Sequence, residues 1–194
     1  MSQKEDQHYI DAVINGDTRA FSVLVERYKH MVFTVAVKVL KNQEEAEEVA
    51  QDVFVKAYTA LSTFKGDSKF STWIYKIAYY RSLDYLKKQK RGMRTSSIDS
   101  GTEYHLSSMQ NALDNLEINE RKLAIKDAID ELPKDDAVVI TLHYFEELSL
   151  KEIADIMNLE ANTVKVRLFR SRKRLAELLK SKLEPEILGS YGRK

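Results

Sequence analysis

The sequence predicts an all-α fold: two small helical domains joined by a flexible linker, the C-terminal one with a helix-turn-helix. Three observations carry this. Only 6 glycines and 2 prolines occur among 194 residues, so few positions break a helix. Apolar residues recur at steps of three and four along most of the chain, as they do on one face of a helix. One stretch, residues 91–116, loses that period and is rich in Ser, Gly, Asp and Asn, as a segment between domains is. No stretch carries a strand signal.

Residues 1–10 are polar and read as loose. The first domain is placed at residues 9–94. Asp17 caps a helix whose apolar face is Phe21, Leu24, Val25, Tyr28, Val32, Val35, Ala36 and Val39. Lys41 and Asn42 break it. Asn42 and Glu45 have the spacing of a capping box for the next helix. That helix turns Ala46, Val49, Ala50, Val53, Phe54, Ala57 and Leu61 inward, and carries Glu44, Glu45, Glu47, Glu48 and Asp52 on its other face. Residues 62–69, STFKGDSK, read as a loop. A third helix runs from about Phe70 to Lys90, with Phe70, Trp73, Ile74, Ile77 and Ala78 on one face. Seven of the chain's eighteen aromatics lie between Phe64 and Tyr85, more than one helix face buries. Some are therefore expected to be exposed, and exposed rings beside a basic run suit unpaired bases, which stack on them. For Phe70, Trp73 and Ile77 the core is the better reading. For Tyr79 and Tyr80 a core rim and a stacking surface both stand.

The linker is placed at 95–117 and the second domain at 118–182. Its helical pattern resumes with Ile118, Ile125, Ala128, Ile129 and Leu132. Pro133 suits the first turn of a new helix, with Val138, Val139, Leu142 and Phe145 inward. Residues 149–175, SLKEIADIMNLEANTVKVRLFRSRKRL, then hold two helical patterns about a turn. Ser149 and Glu152 form a capping box, Ala154 is small where a second helix crosses, and Asn158 tolerates the left-handed angles of a helix stop. Leu159 and Val164 plug the angle. This spacing suits a helix-turn-helix; an ordinary helical hairpin with a solvated basic face is the other reading. Residues 183–194 form a tail.

The formal net charge is only +1, but the charge is segregated. Residues 81–94 carry six Lys or Arg against Asp84, residues 162–182 carry eight against Glu177, and residues 127–155 carry nine acids against Lys134 and Lys151. Two basic patches suggest two polyanion contacts. The opposite charge of 127–155 and 81–94 predicts that the two domains attract in the free protein. There is no cysteine, so disulfides, thiolate metal sites and cysteine nucleophiles are excluded. No apolar run is long enough for a membrane span, and the polar N-terminus is not a signal peptide. A cytoplasmic protein is expected. His8, His30, His105 and His143 have no metal-ligand spacing, and no glycine-rich phosphate loop occurs. No catalytic residue, metal site, cofactor or small-molecule substrate is expected, and the chain does not read as an enzyme.

Three motifs, in order, resemble the bacterial extracytoplasmic-function (ECF) sigma factors, small promoter-recognition subunits of RNA polymerase. EEAEEVAQDVFVKAY (44–58) is similar to that family's acidic DAEDxxQExF segment. FKGDSKFSTWIYKIAYYRSLDYLKK (64–88) is similar to its FxGxxxFxxW[LI]xxIAxNxxxD pattern. ELPKDDAVVITLHYFEELSLKEIADIMNLEANTVKVRLFRSRKRL (131–175) is similar to its C-terminal helix-turn-helix.

The resemblance implies that residues 9–94 grip the polymerase clamp and the promoter −10 element, with Glu47, Glu48, Gln51, Asp52 and Phe54 facing polymerase. The loop Phe64–Lys69 (Phe64, Lys65, Gly66, Asp67, Ser68 and Lys69) would receive a base flipped from the opened strand, Tyr79, Tyr80 and Asp84 would belong to the same −10 surface, and Lys87, Lys88, Lys90 and Arg91 would hold backbone phosphates. Residues 118–182 would read the −35 element as duplex, using Thr163, Lys165, Val166, Arg167, Phe169, Arg170, Arg172 and Lys173. Among these, Arg167, Arg172 and Lys173 are assigned to phosphates, which position without specifying. Implied partners are core RNA polymerase through its clamp and flap, promoter DNA, and an anti-sigma factor that is often membrane-anchored. The sequence departs from the family pattern at Tyr80 (often Asn), Asp136 (near a frequent Arg), Ala161 and Asn162 (a small residue and Gly) and Val166 (Ser), changes that bear on promoter choice. The alternative is a stand-alone helix-turn-helix regulator that binds operator DNA as a dimer.

Overall fold

The computed structural model describes residues 3–92 and 114–191, with side chains over 5–91 and 121–182. All regular structure among the described residues is helical. The first unit contains α1 (Gln3–Ile14), α2 (Phe21–Leu40), α3 (Gln43–Ala60) and α4 (Phe70–Gly92). The second contains α5 (Asp114–Glu131), α6 (Lys134–Tyr144), α7 (Leu150–Met157) and α8 (Ala161–Tyr191). Residues 93–113, most of the expected linker, lie outside the described residues.

Local chemistry sets the helix ends. The Asp17 side chain accepts from the Arg19 N–H and caps a 3-10 turn (Thr18–Ala20) that leads into α2. Lys41 closes α2 in the left-handed region, at φ 60°, and Asn42 opens α3 by accepting from the Glu45 N–H. The expected faces then meet. Leu24, Val32, Val35 and Ala36 of α2, Val49, Val53 and Ala57 of α3, and Phe70, Ile74 and Ala78 of α4 are buried together. Phe64, Phe70 and Trp73 pack ring against ring at 5.5–5.6 Å between centroids.

The N-terminal stretch is not loose from residue 3 onward. It is α1, and it is docked. Ile10 is buried, and so is Asp6, whose carboxylate accepts from the Arg27 guanidinium at 2.6 Å and the Tyr28 hydroxyl at 2.5 Å. Burial, and then the bond to Asp6, push the Tyr28 hydroxyl well above the usual tyrosine range. This pairing joins positions far apart in sequence and leaves no periodic trace in a polar segment.

Helix α6 occupies the middle of the molecule. Every residue from Asp136 to Leu142 is buried. A helix covered on all sides must be apolar nearly all round, and AVVITL over 137–142 is. On one side α6 packs on α2, on the other on α8, while α7 lies against α4. The two units therefore share one continuous apolar core. Phe145, expected inward, is exposed instead: the helix ends at Tyr144, Glu147 takes φ 53°, and Leu148 folds back into the core in its place. Ile125 is exposed as well: among the described side chains of α5, Ala128 and Ile129 of its last turn are buried, followed by Leu132 just beyond its end. The side chain of Ile118 lies outside the described residues. Helix α8 continues to Tyr191, through most of the segment expected as a tail.

The packing of the units also corrects two expectations. Among the described residues of the basic run, Arg81 pairs with Asp52 at 2.6 Å and Lys87 with Asp84 at 3.3 Å, both within the first unit, while Arg94 lies outside the described residues. The cations that cross are Lys38 and Lys41, which reach the carboxylate and carbonyl of Asp130 at 2.6 and 2.7 Å, and Lys69, which reaches Glu152 at 2.8 Å. Nor is any of the seven clustered aromatics exposed. Phe70, Tyr75 and Tyr79 are buried, and Phe64, Trp73, Tyr80 and Tyr85 are half-buried. One face of α4 meets the first core and a second meets α7.

Removing the Asp6 carboxylate leaves the buried Tyr28 hydroxyl without its acceptor and the half-buried Arg27 with Glu5 at 3.7 Å. Asp6→Ala is expected to lower the unfolding free energy by ~1–3 kcal/mol in denaturant titration. A loss below ~0.5 kcal/mol would show that α1 is not held.

Candidate polymerase and promoter interfaces

Helix α3 presents its acidic side on two stripes. Glu47, Gln51 and Phe54 recur at steps of four and three, which sets them on one line of the helix. They face α2 across a groove of about 460 Å³, whose other lining residues are Val25, Lys29, His30, Phe33 and Ala50. The groove has an apolar floor and a polar rim. Glu48 and Asp52 lie on the next stripe and turn toward α4. There Tyr85 donates to Glu48 at 3.4 Å and Arg81 to Asp52 at 2.6 Å. The five residues expected to face polymerase thus divide between a groove and a charged ridge. Sequence reasoning missed the α2 wall. The signal was present: Phe33 is a large aromatic off the apolar stripe of α2.

The loop before α4 offers Lys65, Gly66 and Asp67 to solvent, with Ser68 half-buried. Gly66 sits at φ +77°, where a side chain is strained. Phe64 points the other way and plugs against Phe70 and Trp73. On α4, Asp84, Lys87 and Lys88 are exposed, with Lys87 on Asp84 at 3.3 Å. Tyr79 and Tyr80 are both engaged by the second unit. The Tyr79 hydroxyl donates to Asp135 at 3.1 Å, and the Tyr80 hydroxyl donates to the Met157 carbonyl at 3.2 Å. Burial first, then the charge of Asp135, push the Tyr79 hydroxyl well above its ordinary value, so it stays a neutral donor.

The helix-turn-helix forms as its sequence requires. Both halves of the capping box are made: the Glu152 N–H donates to Ser149 Oγ at 3.2 Å, and the Ser149 N–H donates to Glu152 at 2.9 Å. Asn158 ends α7 at φ 53°, in the left-handed region. Ala154 is buried at the crossing, and Val164, Leu168 and Ser171 anchor α8. Opposite that anchor, Asn162, Val166, Phe169 and Lys173 form an outward ridge. Lys165 and Arg172 flank it on one side, Thr163 and Arg170 on the other. All eight are exposed, Phe169 at 69%. Arg167 departs from its expected place. It lies at the edge toward α6 and pairs with Asp135 at 2.7 Å. Arg174, one turn beyond Arg170, pairs with buried Asp136 at 2.6 Å. The acid at position 136 therefore has its own cation within the chain. Between α6 and α8 a cleft of about 550 Å³ is lined by Asp135, Asn162, Thr163, Val166 and Arg170, among others.

Among the described residues no cluster of His, Cys, Asp or Glu is arranged to hold a metal ion, and no helix is long and apolar enough to cross a membrane.

A helical chain with an exposed basic recognition helix at one end and an aromatic, basic helix at the other belongs to the DNA-reading transcription proteins. Comparison narrows the class. Residues 24–92 match the Sigma-70 region 2 model and residues 122–175 the Sigma-70, region 4 model. The RNA polymerase sigma-H factor of Pseudomonas aeruginosa is 34% identical over 186 residues, which cover 92% of this chain and 96% of that one. The ECF RNA polymerase sigma-E factor of Escherichia coli strain K12 is 34% identical over 194 residues, covering 95% and 97%. The solved structure of the sigma factor RpoE in complex with the anti-sigma factor NepR from Bartonella quintana superposes with a TM-score of 0.68 at 24% identity, covering 82% of this chain and 96% of that one, a likeness of fold. The chain belongs to the ECF sigma factors of RNA polymerase.

Glu152 joins the capping box to Lys69. Burial pushes its carboxyl up, but the bonds from Lys69 and Ser149 outweigh this and hold it below the ordinary value of 4.5. A depressed carboxyl stabilises the fold above its unfolded-state value, and that stability is lost as pH falls through the folded value. The unfolding free-energy difference between wild type and Glu152→Gln is therefore expected to be full at neutral pH and to shrink below about pH 4.5. Equal differences at both ends of that range would count against it.

Proposed function

We propose that this sigma factor docks on core RNA polymerase through the α2–α3 groove, reads the −10 element with the 64–68 loop and α4, and reads the −35 element with the α8 ridge. The observation that carries the −35 assignment is the ridge itself, held outward by an apolar anchor on the opposite side of α8. Thr163 and Arg170 face the cleft edge and base edges. Lys165, Arg172 and Lys173 suit phosphates, where contacts add affinity and salt dependence without sequence preference. Arg167 joins them only when it leaves Asp135. Lys87 and Lys88 suit the phosphates of the opened strand. Tyr79 and Tyr80 suit its bases, each stacked ring being worth ~1–3 kcal/mol.

Glu47, Gln51 and Phe54 are assigned to the polymerase contact together with Phe33 and His30, and Glu48 and Asp52 to its charged border. A cytoplasmic location follows from this role, as does control by an anti-sigma protein that covers the same surfaces. The stand-alone regulator is the weaker reading: it leaves the region 2 match and the α2–α3 groove without a role.

The test is transcription. Purified chain mixed with core polymerase and a promoter library is expected to give specific run-off products. Tight duplex binding without polymerase, and no transcript with it, would overturn the assignment. Within selected promoters, Arg170→Ala is expected to cost ~1–3 kcal/mol at one base pair of the −35 element. A uniform loss on all sequences would make Arg170 a phosphate anchor instead.

A further inference from the structure

The outward ridge of α8 has an apolar centre. Val166 is 42% exposed and Phe169 is 69% exposed. They are separated by one helical turn, so their side chains are neighbours on one face. Asn162 continues that line toward the N-terminal end of α8, and Lys173 continues it the other way. Lys165 and Arg172 stand roughly a quarter turn to one side, and Arg170 roughly a quarter turn to the other. Among the described residues no acid pairs with Lys165, Arg170 or Arg172, whereas Arg167 and Arg174 at the edge hold Asp135 and Asp136. Two apolar side chains are thus left in water between cations that are open to phosphate. Val166 also lines the cleft toward α6, where the other α8 side chains are polar or charged.

Dimensions give each part a target. A helix with its side chains is about 10–12 Å across, and the major groove of B-DNA is about 12 Å wide. A helix seated there sets its flanks against the phosphates and its central line against the base edges. Asn162, Thr163 and Arg170 can form hydrogen bonds with a base edge; Val166 and Phe169 cannot. The major groove offers those two one apolar group, the C5 methyl of thymine. We propose that Val166, with Phe169 beside it, recognises a thymine of the −35 element by its methyl group. The inference rests on the assignment of α8 to the −35 duplex, and it adds the chemical mark by which one base is read. Such a contact senses no hydrogen-bonding group of the pyrimidine. It treats uracil as a base without the mark and 5-methylcytosine as a base that bears it.

Replacing single thymines by deoxyuridine tests this, because the methyl is lost and the base pair is kept. The protein is the full chain assembled with core polymerase. The probe is a promoter duplex from those that this holoenzyme selects, with each −35 thymine of either strand replaced in turn. With wild type, deoxyuridine at one position or two adjacent ones is expected to weaken promoter binding about fourfold, the worth of one buried methyl. Val166→Ala is expected to bind thymine and deoxyuridine alike at that position, and Phe169→Ala to narrow the difference. Cytosine placed there is expected to bind about fourfold more tightly when 5-methylated. Three results would overturn the methyl reading and leave the promoter assignment in place: thymine and deoxyuridine equal at every position, a selected −35 element without thymine, or a deoxyuridine loss undiminished in Val166→Ala. A holoenzyme that selects no −35 sequence would overturn both. The wild-type scan needs no variant, so it decides the matter even where a substitution disturbs the helix.

Discussion

The burial of α6 on every side is the constraint on which the rest of the molecule depends. Seven consecutive buried residues, Asp136 to Leu142, require apolar cover from more than one direction. Helices α7 and α8 supply one side. The first unit, through α2, supplies the other. Were α6 amphipathic, the two units would have no reason to share a core. Because it is not, the C-terminal unit carries an apolar face that is either packed on its own first unit or in need of another partner. The polar fasteners around this face then fix orientation rather than supply the bulk of the attraction. Surface ion pairs such as Lys69–Glu152 are worth little individually, while a neutral tyrosine hydroxyl on a carboxylate is directional and indifferent to pH in the physiological range.

The polar fasteners also differ in what they join. Lys38–Asp130 is buried on the cation side, so it discriminates sharply between the packed and separated states. In Tyr79–Asp135–Arg167 the tyrosine is buried and the two charges are half-exposed, so the charge pair discriminates less, but it sits where α4, α6 and α8 meet. The two pairings therefore contribute differently to the packing of the units. A change to one need not change the other.

Much of the fold was legible in the sequence, and for physical reasons. Local signals did well. Asn42, Ser149 with Glu152, and Asn158 each act on backbone groups within a few residues, so their spacing contains their structure. The core faces of α2, α3 and α8 follow from helical period. What failed was long-range. Asp6 finds Arg27 and Tyr28, 21 and 22 residues away, and nothing in a polar N-terminal segment announces it. Counting aromatics on α4 suggested exposed rings because one helix face was assumed to have one neighbour; α7 supplies a second. Charge segregation indicated that the units attract but named the wrong cations, since the ones that cross are isolated lysines on α2 and beside the loop. Of the candidate DNA residues, those of α8 came from the resemblance to the ECF pattern, and helical period places most of them on its exposed side. The capture of Arg167 by Asp135 was not legible, because it depends on the packing of α6 against α8.

The division of α8 into a ridge and an edge has a consequence for how this protein can change over generations. Asn162, Val166, Phe169 and Lys173 are exposed, and exposed substitutions shift stability by only ~0.5 kcal/mol. Arg167 and Arg174 are tied to Asp135 and Asp136, so replacing Arg174 leaves buried Asp136 without its cation and replacing Arg167 leaves Asp135 with the Tyr79 hydroxyl alone. Substitution over generations is thus cheap along the ridge and costly at its edge. Of the positions where the sequence departs from the ECF pattern, Ala161, Asn162 and Val166 are exposed at the start of α8, where substitution is least resisted, whereas Tyr80 and Asp136 are held by bonds of their own.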